Sequence, residues 1–138
     1  MLEESRTRTI EGIIEKLGRT IEIEAVILFG SWSRSGGGDW SDIDLLVVSS
    51  QVKHTNILDR FGLATELKTP RTDIFIHTYE EIESMLSRMN PLIISALVEG
   101  VTVKTSERIK NLIENARRKF TRKGRLWIMK NTYIITDT

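Results

Sequence analysis

Two hydrophobic rhythms, one near 3.6 residues and one near two, follow each other along the chain. Ile10, Ile13, Ile14 and Leu17 recur at helical spacing, which predicts a helix over residues 3–17 with Gly18 as its stop. Ile21, Ile23 and Ala25 then alternate before the unbroken run Val26-Ile27-Leu28-Phe29, so residues 21–29 read as a strand entering a covered sheet. Gly30-Ser31 breaks that strand, and residues 32–41, with Gly36, Gly37 and Gly38, read as a loop. Residues 43–48 form a second apolar strand with Asp44 near its start. Residues 56–67 place Ile57, Leu58, Phe61, Ala64 and Leu67 at helix-like intervals, and Pro70 closes the segment. Residues 72–77 form a third strand, with Ile74 and Ile76 on one face and Asp73 and Phe75 on the other. Helices follow at 79–89 and 91–99, the second with proline in its permitted first turn. A short edge strand at 100–104 and a helix at 106–120, capped by Ser106, complete the pattern. Interleaved strands and helices predict an α/β or α+β domain around one small sheet.

Composition narrows the class. A length of 138 residues suits one domain, and 40% hydrophobic with 28% charged residues is ordinary for a globular protein. With no cysteine there is neither a disulfide scaffold nor a thiolate metal site, and two histidines, His54 and His77, are too few for a multi-histidine zinc centre. Any metal must therefore be held by carboxylates. No stretch approaches the roughly 18 apolar residues of a membrane span, and the charged N-terminus lacks a signal core, so the expectation is a mature cytoplasmic protein. The net charge of +1 conceals a segregation. Residues 1–116 carry 13 basic and 18 acidic side chains, whereas residues 117–130 carry seven basic and no acidic ones.

The chemistry concentrates in Leu28-Phe29-Gly30-Ser31, ten residues, and then Asp42-Ile43-Asp44. Gly30 lets the backbone turn sharply and approach a ligand, and Ser31 adds a hydroxyl and amide groups suited to phosphate oxygens. Asp42 and Asp44, two apart at the mouth of a strand, share a face, and a hard divalent cation relieves their repulsion. Magnesium is the natural candidate. Asp73, on the third strand, is placed to complete a three-carboxylate cluster, with a further role in accepting or orienting the proton of an acceptor hydroxyl. Carboxylates beside a Gly-Ser turn point to phosphoryl or nucleotidyl transfer, with metal ions flanking an in-line displacement.

Gly30-Ser31, the ten-residue interval, Asp42-Ile43-Asp44 and the later Asp73 together resemble the signature of the polymerase-β-type nucleotidyltransferase superfamily. The chain's size resembles its minimal nucleotidyltransferase (MNT) branch. The resemblance is centred on residues 26–48 and extends more weakly to about residue 116. It implies a nucleotidyltransferase fold with a small mixed sheet flanked by helices, Gly30 and Ser31 on the triphosphate of ATP, and Asp42, Asp44 and Asp73 binding Mg2+. Many MNT proteins are antitoxins paired with a HEPN-domain ribonuclease toxin, and some transfer AMP from ATP to a tyrosine of that partner. Arg34 is a further candidate phosphate contact. Members often have glycine directly after that arginine, whereas here Ser35 follows it.

Residues 1–120 are thus read as the nucleotidyltransferase domain and residues 121–138 as a basic and apolar extension, packed on the domain or on a partner. The extension and the preceding helix end hold Arg117, Arg118, Lys119, Arg122, Lys123, Arg125 and Lys130. This run reads as a solvated helix end, a surface for an acidic partner or, less favoured, a nucleic-acid contact. So little chain outside the core favours an acceptor presented by another protein, in a homo- or hetero-oligomer. Two alternatives remain at this point: small-molecule transfer resembling the aminoglycoside nucleotidyltransferases, and a non-catalytic antitoxin that masks its partner. Trp32, Trp40, His77, Tyr79 and Tyr133 are assigned no role.

Overall fold

The computed structural model describes residues 4–31, 42–52 and 56–130. Helix α1 spans Glu4–Thr20, running past Gly18. Gly18 does not take the left-handed backbone that would cap a helix there, and buried Leu17 instead accepts the Ile21 amide at 2.8 Å. Because that amide closes the helix, strand β1 starts later than the alternation suggested, at Ala25–Phe29. Strand β2 is Ile43–Val48, and a 3-10 turn at Ser50–Val52 follows. Helix α2, Ile57–Leu67, is capped by the Asn56 side chain, and β3 is Thr72–His77. Helix α3, Tyr79–Ser87, starts from a capping box between Thr78 and Glu81. Helix α4, Pro91–Glu99, is capped by Asn90. The edge strand β4, Val101–Lys104, leads to α5, Glu107–Lys119, whose N-cap is Ser106. Strands β5 (Phe120–Lys123) and β6 (Leu126–Met129) form a separate hairpin turning at Gly124.

The four main strands form one mixed sheet in the order β3-β2-β1-β4. Strand β1 is antiparallel to β2 and β4, while β2 and β3 are parallel, joined by a crossover through α2. One face buries Ala25, Ile27, Phe29, Leu46 and Val48 against α3, α4 and α5. The other buries Val26, Leu28, Leu45, Val47, Ile74 and Ile76 against α1 and α2. Strands covered on both faces explain the unbroken apolar runs in β1 and β2.

Helix α2 sits differently from its predicted apolar stripe. Leu58 and Phe61 are 77% and 69% exposed, whereas Arg60 is buried. Its guanidinium donates to Glu81 Oε1 at 2.5 Å and to the Val52 carbonyl at 2.6 Å. Two anchored acceptors thus fix the helix rotation that the side-chain pattern had assigned to phenylalanine. Just before β1, Glu24 accepts a bidentate pair from Arg108, both contacts 2.7 Å, and a 2.6 Å hydrogen bond from Ser106. The Arg108 hydrogen bonds hold the Glu24 carboxyl below its usual range.

The hairpin packs back on the body. Trp127 is half-buried against the α4 side of the core, Phe120 is buried within it, and Leu126 and Met129 remain exposed. The extension beyond residue 130, including Tyr133, lies outside the described residues.

Candidate active site

Strand pairing brings the predicted carboxylates together. Asp44 is the register partner of Phe29 on β1 and of Asp73 on β3, so the two aspartates are neighbours across a parallel ladder. Asp42 immediately precedes β2. Alternation along the strands puts Asp44 on the face of Leu46 and Val48, and Asp73 on that of Phe75, the face covered by α3 to α5. Asp42, Asp44 and Asp73 therefore line one cleft of about 410 Å³ with Phe29, Gly30, Ser31 and the α4 residues Pro91, Leu92 and Ser95.

Gly30 is required on two counts. Its φ is +100°, and a Cβ there would lie 2.9 Å from Asp44 Oδ2 and 3.2 Å from the Asp42 carbonyl oxygen. The absent side chain leaves the space in which the Asp44 carboxylate sits. Ser31 closes the same turn: its hydroxyl accepts the Asp42 N–H at 2.9 Å. That hydroxyl is thus engaged in holding the two strand ends together. Arg34, with Trp32 and Trp40, lies outside the described residues.

Two cations missed by the sequence reading stand among the carboxylates. Lys68 Nζ lies 2.8 Å from Asp73 Oδ1, and Arg71 lies 3.5 Å from Asp42 Oδ1. The hydrogen bond to Asp73 raises the Lys68 ammonium above its ordinary pKa. Both cations belong to the turn before β3, where Arg71 adopts φ +62° and its carbonyl accepts the Ile43 amide at 2.9 Å. The nearby Pro70 marks a turn, but nothing in the sequence says that it folds over the acidic pair. Ser95 carried even less signal, being one hydroxyl in an apolar helix.

Among the described residues, no three acidic or histidine side chains are gathered as a metal-binding group. The expected three-carboxylate cluster is therefore not formed: Asp42, Asp44 and Asp73 line one cleft, but Asp42 and Asp73 are turned to basic partners. Their side chains are 65% and 53% exposed, and ion pairs so open to water are weak. A divalent cation can displace them. The donors are all oxygen, the set a hard cation such as Mg2+ accepts.

None of the described helices is long and apolar enough to cross a membrane. Solved structures of similar fold include a candidate nucleotidyltransferase from Sulfolobus solfataricus, 24% identical with a TM-score of 0.52, covering 73% of this chain and 81% of its own. A complex of a tri-AMPylated Shewanella oneidensis HEPN toxin with MNT antitoxin is 19% identical with a TM-score of 0.52, covering 78% of each chain. A toxin-antitoxin structure with AMP-PNP is 21% identical with a TM-score of 0.52, covering 78% of this chain and 82% of that one. No curated protein matches the sequence. Residues 8–125 match the family model of the nucleotidyltransferase domain, a span that takes in the whole mixed sheet and its carboxylate cleft, and the chain belongs to that family.

Proposed function

We propose that this nucleotidyltransferase uses Mg2+ and ATP to place AMP on a hydroxyl of a partner protein, acting as the antitoxin that adenylylates a HEPN ribonuclease toxin. The observation that carries the reading is the pairing of Asp44 with Asp73 beside a glycine that has no room for a side chain. Similarity of fold to an MNT antitoxin complex whose toxin is tri-AMPylated supports the choice of acceptor. The shallow, open cleft also suits an acceptor delivered by another molecule.

In this mechanism Asp42, Asp44 and Asp73 hold Mg2+, which when bound neutralises triphosphate charge and stabilises the charge that develops during transfer. The amides of the Gly30-Ser31 turn receive phosphate oxygens and fix the triphosphate along the cleft. The acceptor oxygen attacks the α-phosphorus, the bond to the pyrophosphate oxygen breaks, and the hydroxyl proton passes to a carboxylate. Asp73 is the base assigned to that proton: its partner is the exposed Lys68, and it stands on the edge strand of the sheet. Lys68 and Arg71, released from the carboxylates, remain as cations beside the polyphosphate.

The test is incubation with ATP labelled on the α-phosphate, Mg2+ and the product of the neighbouring gene. Label should move to the partner protein, and Asp42→Asn or Asp44→Asn should abolish the transfer. Neutralisation of the partner that survives both substitutions would replace catalysis by masking, and label appearing on a small molecule would redirect the reading to small-molecule transfer.

A further inference from the structure

The C-terminal hairpin reaches the cleft through one hydroxyl. Ser95 lines the cleft from α4, together with the Gly30-Ser31 turn. The Trp127 indole N–H donates to Ser95 Oγ at 3.0 Å, and the Arg122 guanidinium donates to the same oxygen at 3.3 Å. Both donors are themselves held. Arg122 makes two 2.7 Å contacts to Glu99, one turn along α4, and its guanidinium lies over the Trp127 ring, 4.4 Å from the centroid. Those Glu99 hydrogen bonds raise the arginine's already high pKa, so its charge is permanent.

A serine hydroxyl has two acceptor lone pairs and one proton. The hairpin occupies both acceptor positions, leaving the proton, for which the described residues supply no acceptor. Ser95 is thereby left to act as a donor, and it lines the cleft where an acceptor can meet it. The cleft is also chemically divided. Asp42, Asp44, Asp73 and the Gly30-Ser31 turn supply polar lining suited to polyphosphate, while Pro91 and Leu92, one turn before Ser95 on α4, supply apolar lining. Apolar walls with one placed polar group are what a nucleoside requires.

Resting on the reading of this cleft as a nucleotide site, we propose that Ser95 donates a hydrogen bond to an acceptor atom on the nucleoside part of the substrate, and that Arg122 and Trp127 are positioning residues that make it a donor. The hairpin is then part of the active site. The basic run divides accordingly, with Arg122 serving the site from α4's flank and the neighbouring Arg117 securing the Val98 and Gly100 carbonyls.

Isothermal titration with a non-hydrolysable ATP analogue and, separately, with inorganic tripolyphosphate, both with Mg2+, distinguishes the nucleoside contact from the phosphate contacts. Ser95→Ala should weaken the nucleotide by about three- to tenfold, the worth of one hydrogen bond, and leave tripolyphosphate unchanged. Trp127→Phe retains the ring but frees one acceptor position, so it should weaken the nucleotide by a smaller factor, again without touching tripolyphosphate. Unchanged nucleotide affinity in Ser95→Ala, or equal weakening of both probes, would overturn the proposal. Wild-type protein that binds neither probe would instead remove the nucleotide-site reading on which it rests.

Discussion

Replacing Gly30 by alanine tests the link between backbone conformation and site. Holding an L-residue at φ +100° costs about 1–2 kcal/mol. The added Cβ would also stand 2.9 Å from Asp44 Oδ2, 3.3 Å from Asp44 Cγ and 3.2 Å from the Asp42 carbonyl oxygen. The carboxylate can rotate, but the carbonyl belongs to backbone tied to Ser31, and forcing such a contact apart costs about 1–3 kcal/mol. The combined loss is about 2–5 kcal/mol. With an unfolding entropy of about 2.1 cal/mol/K per residue, each kcal/mol moves the Tm of a domain this size by about 3 °C. Gly30→Ala should therefore melt about 6–15 °C below wild type in calorimetry without ligands. Gly62→Ala is the internal comparison. It lies exposed in α2 with nothing within 4 Å of the new Cβ, and should gain about 0.5–1 kcal/mol from the lower entropy of the unfolded chain. Because the Gly30 substitution pushes on the Asp44 carboxylate, Mn2+ affinity in the same protein should fall as well. A Gly30→Ala protein that melts within about 2 °C of wild type and binds Mn2+ equally would refute the argument.

Other expectations follow from the same geometry. A Cβ at Gly100 would overlap the Ala96 carbonyl oxygen and the Ile27 side chain, so Gly100→Ala should lose about 3 kcal/mol in urea unfolding; an unchanged midpoint would contradict this. Burial holds the His77 imidazole below its usual value of 6.5, with Arg60 adding to the effect and Glu81 opposing it. The unfolded chain then takes up a proton that the folded one resists. The stability from His77 is complete above pH 6.5 and declines as pH falls through the lowered folded value, so His77→Gln should show a shallower loss of stability on acidification from pH 6.5. An equal slope in both proteins would discard His77 as the cause. Lys68 competes with a cation for Asp73, so Lys68→Met should bind Mn2+ several-fold more tightly at low salt in a calorimetric titration, and weaker binding would reverse the assigned role.

Local order and periodicity determined much of this protein. The runs at Ile43–Val48 and Thr72–His77 are continuous or alternating because each strand meets core on fixed faces, and both are observed with the predicted bounds. The Ser106 cap and the proline that opens α4 are local chemistry, visible in the chain, whereas the Asn56 and Asn90 caps emerged only in the structure. Gly30, Ser31, Asp42, Asp44 and Asp73 could be singled out because a sharp turn and paired carboxylates are short-range signals. Tertiary structure decided what depends on distant partners. The parallel register that sets Asp44 beside Asp73 is a property of two strands separated by a helix. The rotation of α2 followed from acceptors at Val52 and Glu81, which drew Arg60 inward and left Phe61 in water. Lys68 and Arg71 reached the carboxylates only through the turn before β3. Ser95 became a donor because a hairpin some thirty residues later filled both of its lone pairs, and hydrogen bonds across that separation leave no periodic trace in the chain.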